Sequence, residues 1–344
     1  MPGPTLFCYF ARVGDLVMFT PVLRALAAQG PLELCARTWA KPLLNAEPYL
    51  QAIHTLAKPD PPWWQELLAG CPRRKLTAQL AARGFGRIVI LDRETPGIAA
   101  WIRGFAGQIP LTVLPHIAHG TTGHLVDANI GAAEAAGITV GNRDPTLTVS
   151  ADRHADALRL LGPLGKRIIA VQAGSSLTSR WLRRQPNLKG LDAGQWSRLL
   201  TRILADNEAD AVILLGSAPE GREARAIRSS MPIGLIHRVH DLTGQVGLAE
   251  LPAVLAGCAA VLSVDTGPAH IAAAVGTPLL AVFGPSNPGR FLPRGAGRIE
   301  LLLGTAPCQF CLGTPQFRRC RNNVCLSNLN DAAIYAAWRR LSPG

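Results

Sequence analysis

The sequence predicts an α/β chain built from two parallel-sheet halves, and three observations lead there. Strand-like apolar runs alternate with helix-like runs along the whole length, as parallel sheets with crossover helices require. Each half begins with a strand followed by a glycine-containing loop. Of the 344 residues 48% are hydrophobic and only 6% aromatic, a balance that fits a helix-rich α/β protein better than a β-sandwich. A chain this long and this apolar can bury its cores without disulfides.

In the first half, strand Leu6–Phe10 runs into a Gly-Asp turn and a helix near Val17–Gln29. Strand Leu32–Ala36, a helical stretch around Leu76–Arg83 and strand Arg87–Leu91 follow. A less regular region then leads to His124-Leu125-Val126, which opens a helix through about Ala136. Arg143-Asp144-Pro145 is a turn, Leu147–Val149 reads as a short linking strand, and Ala155–Leu161 is helical before the break Gly162-Pro163-Leu164-Gly165. The second half repeats the pattern. Its strands are Ile168–Gln172, Ala211–Leu215, Val261–Val264 and Leu279–Phe283; its helices are Gln195–Asp206, Glu220–Ser229, Leu248–Ala256 and Ala269–Val275. The last helix, Asp331–Leu341, can pack across either half. The expected domains are therefore 1–155 and 156–330, with 331–344 a terminal helix. Ligands of doubly wound sheets bind outside the carboxyl ends of the strands, so two facing halves place a working site in the cleft between them. Neither half carries G-x-G-x-x-G, which argues against a dinucleotide oxidoreductase, and there is no solenoid repeat.

Charge and segment length narrow the partners. The formal net charge is +12, with Arg far outnumbering Lys, which favours anionic partners: phosphorylated ligands, anionic glycolipids, a membrane surface or nucleic acid. No stretch reaches the roughly 20 apolar residues of a membrane span, and the N-terminus does not read as a signal peptide. The expectation is a cytoplasmic protein whose membrane contact is peripheral. Arg73-Arg74-Lys75 near Trp63-Trp64 can meet an anionic acceptor or form a solvated face, and without aromatic interleaving it does not read as a nucleic-acid motif.

Five constellations can carry chemistry. Gly14 is read as allowing a sharp turn after the first strand. Asp15 then lies at the start of a helix, either as a cap or as a general base taking a proton from an acceptor hydroxyl. Gly174-Ser175-Ser176-Leu177-Thr178-Ser179-Arg180 offers hydroxyls and a cation at a strand end, a diphosphate cradle or a solvated turn. Glu220, after Gly216-Ser217, either caps its helix or binds ribose or base hydroxyls. Asp265-Thr266-Gly267-Pro268 opens a helix whose amides at Thr266, Gly267 and Ala269 attract phosphate, with His270 in the first turn. A cap and a buried histidine are the plain alternatives there. Finally, Cys308-x2-Cys311-x8-Cys320-x4-Cys325 reads as a tetrahedral zinc or iron site, as free or redox-active thiols, or as disulfides. Its place beyond the last strand favours a structural staple. Cys8, Cys35, Cys71 and Cys258 lie among apolar neighbours and read as reduced core residues.

Together these residues resemble the ADP-heptose:lipopolysaccharide heptosyltransferases, glycosyltransferase family 9. The resemblance rests on Gly14-Asp15, Thr20-Pro21, Leu26, the Gly-Ser-Ser loop ending in Arg180-Trp181, and Gly216 with Glu220. It continues through Leu242-Thr243-Gly244, Asp265-Thr266-Gly267-x2-His270 and Phe283-Gly284-Pro285-Ser286-x-Pro288. It runs from the first strand to the cysteine cluster and is weakest over 40–120. It implies a GT-B fold, an inverting mechanism and an ADP-heptose donor held mainly by the second half. The motifs include no paired metal-binding carboxylates, so no catalytic divalent ion is required. By position, Asp15 resembles the catalytic carboxylate, and Ser175, Ser176 and Arg180 resemble the diphosphate-binding hydroxyls and lysine. Glu220 resembles the nucleoside-binding acid, and Asp265, Thr266, Gly267 and His270 resemble the donor signature. Two departures stand out: Arg180 replaces the usual lysine, and Leu182-Arg183-Arg184-Gln185-Pro186 replaces the proline after Trp181. The implied acceptor is an anionic glycolipid, the lipopolysaccharide inner core, met at the inner membrane face. A protein acceptor with a metal-bearing cysteine motif is the first alternative. The second is a non-catalytic sugar-nucleotide or nucleic-acid binding protein, whose binding would fall steeply with salt.

Overall fold

The computed structural model describes residues 3–58, 71–91, 96–115, 123–175 and 188–342. It divides into two compact units, Met1–Thr148 and Val149–Gly344. Each is a parallel sheet with crossover helices.

In the first unit five strands stand in the order β3-β2-β1-β4-β5: β1 Thr5–Tyr9, β2 Leu32–Ala36, β3 Leu50–Thr55, β4 Arg87–Leu91 and β5 Leu111–Leu114. Every neighbouring pair is parallel. The central strands β1, β2 and β4 are nearly continuous buried runs, as a sheet covered on both faces demands. A stack of Phe7, Tyr9 and Phe19, with centroids 4.9 to 5.9 Å apart, pins the segment after β1 onto the sheet. The expected helix near Val17–Gln29 is two helices, Val13–Val17 and Thr20–Ala28. Pro21 lies in the first turn of the second, where its missing N–H breaks no hydrogen bond, whereas the middle of one longer helix would not accept it.

The expected strand Leu147–Val149 does not form. Side chains hold this stretch instead. The Glu47 carboxylate accepts the Thr148 N–H at 2.7 Å and its hydroxyl at 3.0 Å, and Thr20 Oγ1 accepts the Thr146 N–H. Arg24 donates to the Asp144 carbonyl at 2.6 Å. With backbone donors satisfied this way, no strand partner is needed. Glu47→Ala removes a buried acceptor from two donors at once. We expect it to lower stability by about 1–3 kcal/mol, read as a lower urea midpoint with an unchanged m-value.

In the second unit six parallel strands run β11-β10-β9-β6-β7-β8. They are β6 Ile168–Gln172, β7 Ala211–Leu214, β8 Val239–Asp241, β9 Ala260–Val264, β10 Leu279–Phe283 and β11 Ile299–Leu303. Helix Ala193–Ala205 opens on a capping box in which Asp192 and Gln195 bond each other's backbone N–H. The final helix, Asp331–Leu341, belongs to this unit. Its buried Ile334, Ala337, Trp338 and Leu341 recur at helical spacing and join the core of β6, β7, β9 and β10. Each of its large side chains contributes about 1.5–3 kcal/mol by burial. Trp338 Nε1 and Arg339 both donate to Glu208, locking the helix edge. Among the described residues no helix is long and apolar enough to cross a membrane.

Candidate donor and base sites

The second unit gathers polar side chains at the carboxyl ends of its strands. Strand order reverses between β6 and β9, the switch point where doubly wound sheets open a crevice. Asp265 follows β9 and Ser175 follows β6, one on each side of that point, and both are buried. One step outward, Ser286 follows β10 and Glu220 follows β7.

Asp265 is the electrostatic centre of this group. Lys189 Nζ lies 2.7 Å from its Oδ2 and donates to its backbone carbonyl at 2.5 Å. Ser286 Oγ donates to the same carboxylate at 2.5 Å. Both members of the ion pair are only 11% exposed at the side chain, so water screens them little. Burial is the largest influence on Asp265 and works against ionisation. The charge and hydrogen bond of Lys189, the Ser286 hydroxyl and nearby His270 together outweigh it, and the carboxyl sits below its ordinary range. Asp265 is therefore an anion with a fixed cation beside it.

Lys189 was not among the sequence candidates. It follows the basic, proline-containing stretch Leu182-Arg183-Arg184-Gln185-Pro186, and its partner Asp265 is distant in the chain. Arg180, the cation expected here, and Ser176 lie outside the described residues, as do Trp63 and Trp64.

Around Asp265 the helix start departs from expectation in one respect. Thr266 is the N-cap of helix Gly267–Ala274, yet its hydroxyl turns back to the Val264 carbonyl at 3.2 Å and does not cap. The Ala269 N–H is taken by the Thr266 carbonyl at 3.1 Å. Ala269 is thus withdrawn from the expected phosphate-facing set. His270 is buried one turn into the helix and acts on the Asp265 carboxyl through its charge.

Glu220 ends a short turn of 3-10 helix, Ala218–Glu220. Its Oε2 accepts the Ser217 N–H and hydroxyl, each at 2.7 Å, so the capping alternative is realised. Its Oε1 faces Gln172 Nε2 at 3.5 Å at the end of β6. A Cβ on Gly174 would stand 3.1 Å from the Glu220 Cβ and Cγ, so the glycine allows the β6 loop to lie against this acid. Gly244 holds φ +77° and donates its N–H to the Gly216 carbonyl at 2.8 Å, tying the Leu242-Thr243-Gly244 turn beside the same loop.

In the first unit Asp15 is buried just past the carboxyl end of β1, the central strand, which adjoins that sheet's own switch point with β4. Its Oδ2 accepts the Arg12 N–H at 3.4 Å, a weak cap. Gly14 lies inside helix Val13–Val17 and not in the left-handed region, so the sharp turn expected of it is not its role. Arg37, after β2, donates to the Phe10 carbonyl at 2.7 Å and steadies the β1 end. In the basic stretch, Arg73 stacks over Trp101 at 5.7 Å to the ring centroid, whereas Arg74 and Lys75 are exposed.

All eight cysteines are free thiols, and Cys8, Cys35, Cys71 and Cys258 are buried. The four clustered thiols feel one another. Burial, with the neighbouring thiols, pushes Cys325 up to about 11, and burial with Cys308 and Cys320 raises Cys311. Metal ligation needs thiolates at a common centre. Among the described residues no three His, Cys, Asp or Glu side chains are gathered to hold a metal ion.

Comparison with known proteins agrees with this architecture. The family described as glycosyltransferase family 9 (heptosyltransferase) matches residues 100–320, well over half of the chain. Lipopolysaccharide heptosyltransferase 2 of Escherichia coli K12 is 27% identical over 80% of this chain and 81% of its own length. Lipooligosaccharide heptosyltransferase 2 of Haemophilus influenzae is 41% identical over a shorter stretch, 23% of this chain and 22% of the relative. The solved structure of the E. coli ADP-heptose lps heptosyltransferase II shares the fold with a TM-score of 0.75, 19% identity and 98% coverage of both chains. This chain belongs to glycosyltransferase family 9, the heptosyltransferase family.

Proposed function

We propose that the protein transfers a heptose from ADP-heptose to the inner core of a lipopolysaccharide, with inversion at the anomeric carbon. The observation that carries the donor half of this reading is the buried Lys189–Asp265–Ser286 arrangement beside the switch point of the second sheet. Family membership and relatives that bear lipopolysaccharide in their names support the sugar and the acceptor.

In this scheme Lys189 is the diphosphate cation, the role that Arg180 was expected to fill. Asp265 holds the ammonium in place and can accept sugar hydroxyls. Ser175, Ser176 and the amide of Gly267 add donors, Glu220 and Gln172 line the nucleoside side, and His270 and Thr266 keep the helix start rigid. Asp15 accepts the proton of an acceptor hydroxyl. That oxygen bonds to the anomeric carbon as the bond to the phosphate oxygen breaks, and ADP leaves with the electron pair. The leaving diphosphate gains charge in the transition state, so fixed donors aimed at it lower the barrier. Arg74 and Lys75 are exposed cations suited to the anionic glycolipid at the inner face of the cytoplasmic membrane.

The cysteine segment serves as a structural staple in this account. The test is incubation with ADP-heptose and either truncated lipopolysaccharide or a protein acceptor, followed by mass analysis. Heptose is expected on the glycolipid, and turnover is expected to survive exhaustive chelation. Transfer to protein alone, lost on chelation, would replace this reading with that of a metal-bearing protein glycosyltransferase.

A further inference from the structure

The cysteine segment touches the proposed donor site through one side chain. Asn323 is buried at φ +45° and ψ 42°, a left-handed conformation that asparagine tolerates better than most residues. Its Nδ2 donates to the carbonyl of Gly190 at 2.8 Å. Gly190 is the residue next to Lys189. On its other side Asn323 Oδ1 accepts the Cys325 thiol at 3.3 Å, and its backbone carbonyl accepts the N–H groups of Leu326 and Ser327, each at 3.0 Å.

The segment is itself seated firmly. Gln195 Nε2 reaches from the start of helix Ala193–Ala205 to the Leu326 and Leu329 carbonyls at 3.1 and 3.0 Å. A Cβ on Gly304 would lie 2.1 Å from the Cys325 carbonyl oxygen, and one on Gly284 3.0 Å from the Cys325 sulfur. These two glycines follow β11 and β10, so the segment rests directly on the strand ends. The peptide after Lys189 is thus held from one side by Asn323, while the Lys189 ammonium is held from the other by Asp265.

We propose that Asn323 is a positioning residue for donor binding: its amide fixes the Gly190 carbonyl and so presents Lys189 to the donor diphosphate. This rests on the assignment of Lys189 as the diphosphate cation. Without the amide, the backbone beside Lys189 loses its buried anchor and the ammonium no longer has one preferred position. A positioning effect weakens donor binding and leaves the proton-transfer step alone.

Asn323→Gly isolates the amide, because glycine adopts the left-handed conformation without strain. The expected result is an ADP-heptose KM raised about tenfold, as loss of one buried hydrogen bond allows, with kcat within about twofold of wild type. The second arm repeats the substitution in a Lys189→Met background, where no further rise in KM is expected because the two residues act as one unit. An unchanged KM in Asn323→Gly, or an equal and additive loss in both backgrounds, would overturn the proposal. A wild-type KM in Lys189→Met alone would instead remove the assignment on which it rests.

Discussion

Asp15→Ala is expected to abolish most turnover while leaving ADP-heptose binding near wild type. The carboxylate lies in the first unit, and every residue assigned to the donor lies in the second. Removing a general base costs about 10²–10⁴-fold in rate. The fall should appear in kcat, with the donor dissociation constant measured by calorimetry shifting less than about threefold. The bond that Asp15 accepts from the Arg12 N–H is long, at 3.4 Å, and its loss alone should change stability little. Asp15→Asn sharpens the test: it keeps the size and the cap acceptor but cannot take a proton. If Asp15 only caps its helix, Asn restores activity and Ala shifts the melting temperature instead.

Lys189→Met is expected to act on both binding and stability. Methionine keeps most of the length and the apolar stem but removes the cation paired with Asp265, leaving the carboxylate with Ser286 and the weaker influence of His270. Removing one partner of a buried ion pair costs about 3–5 kcal/mol, because the other charge stays desolvated. The pH dependence carries the sign. In the wild type the Asp265 carboxyl is held below its ordinary range. Its contribution to stability is therefore present above the unfolded carboxylate range and is lost as pH falls through the folded one. In Lys189→Met both contributions of Lys189 are lost, burial is opposed only by Ser286 and His270 among the named groups, and the carboxyl is expected to rise above that range. The variant then loses stability as pH rises through the raised value, the opposite slope. Urea midpoints measured between pH 4 and 7 would show the two curves diverging with pH, about as far apart at neutrality as the ion-pair cost implies. Adding Asp265→Asn to Lys189→Met should restore much of the stability but not the donor affinity. Parallel pH curves for the wild type and Lys189→Met would mean that the pair is not the electrostatic centre proposed here.

The legibility of this chain follows burial. The central strands β1, β2, β4, β6, β7, β9 and β10 are largely apolar runs such as LLAVF, broken at most by one or two polar residues as in LELCA, and each stands out against the helices beside it. The four strands that the sequence did not reveal are β3, β5, β8 and β11, and each is the edge of its sheet. An edge strand is covered less: LQAIHT of β3 and LTVL of β5 are mostly half-buried, and VHD of β8 is short and polar. Without a continuous apolar run or clean alternation, nothing in such a segment separates it from a loop. The linking stretch Leu147–Val149 misleads in the opposite direction, because its apolar alternation is real but Glu47 and Thr20 hold it in place of a neighbouring strand.

The candidate sites divide in the same way. Asp265 follows an apolar strand directly and Glu220 comes one short turn after another, so their places near strand ends could be read locally. The roles of Lys189, Ser286 and Asn323 depend on contacts between distant parts of the chain: Lys189 with Asp265, Ser286 with Asp265, and Asn323 with Gly190. No local pattern encodes such a pairing. The one cue within reach was a lysine, one of five in an arginine-rich chain, just ahead of the Asp192–Gln195 capping box.

The claim at the centre of this account is a single displacement, with Asp15 taking the acceptor proton and the second unit holding ADP-heptose. The most direct measurement is the anomeric configuration of the transferred heptose, read by nuclear magnetic resonance on the product of one incubation with a truncated lipopolysaccharide. A linkage of anomeric configuration opposite to the donor's is predicted. A product that retains the donor's configuration would require a covalent sugar intermediate or attack from the leaving-group face, and would contradict the single displacement with Asp15 as its base.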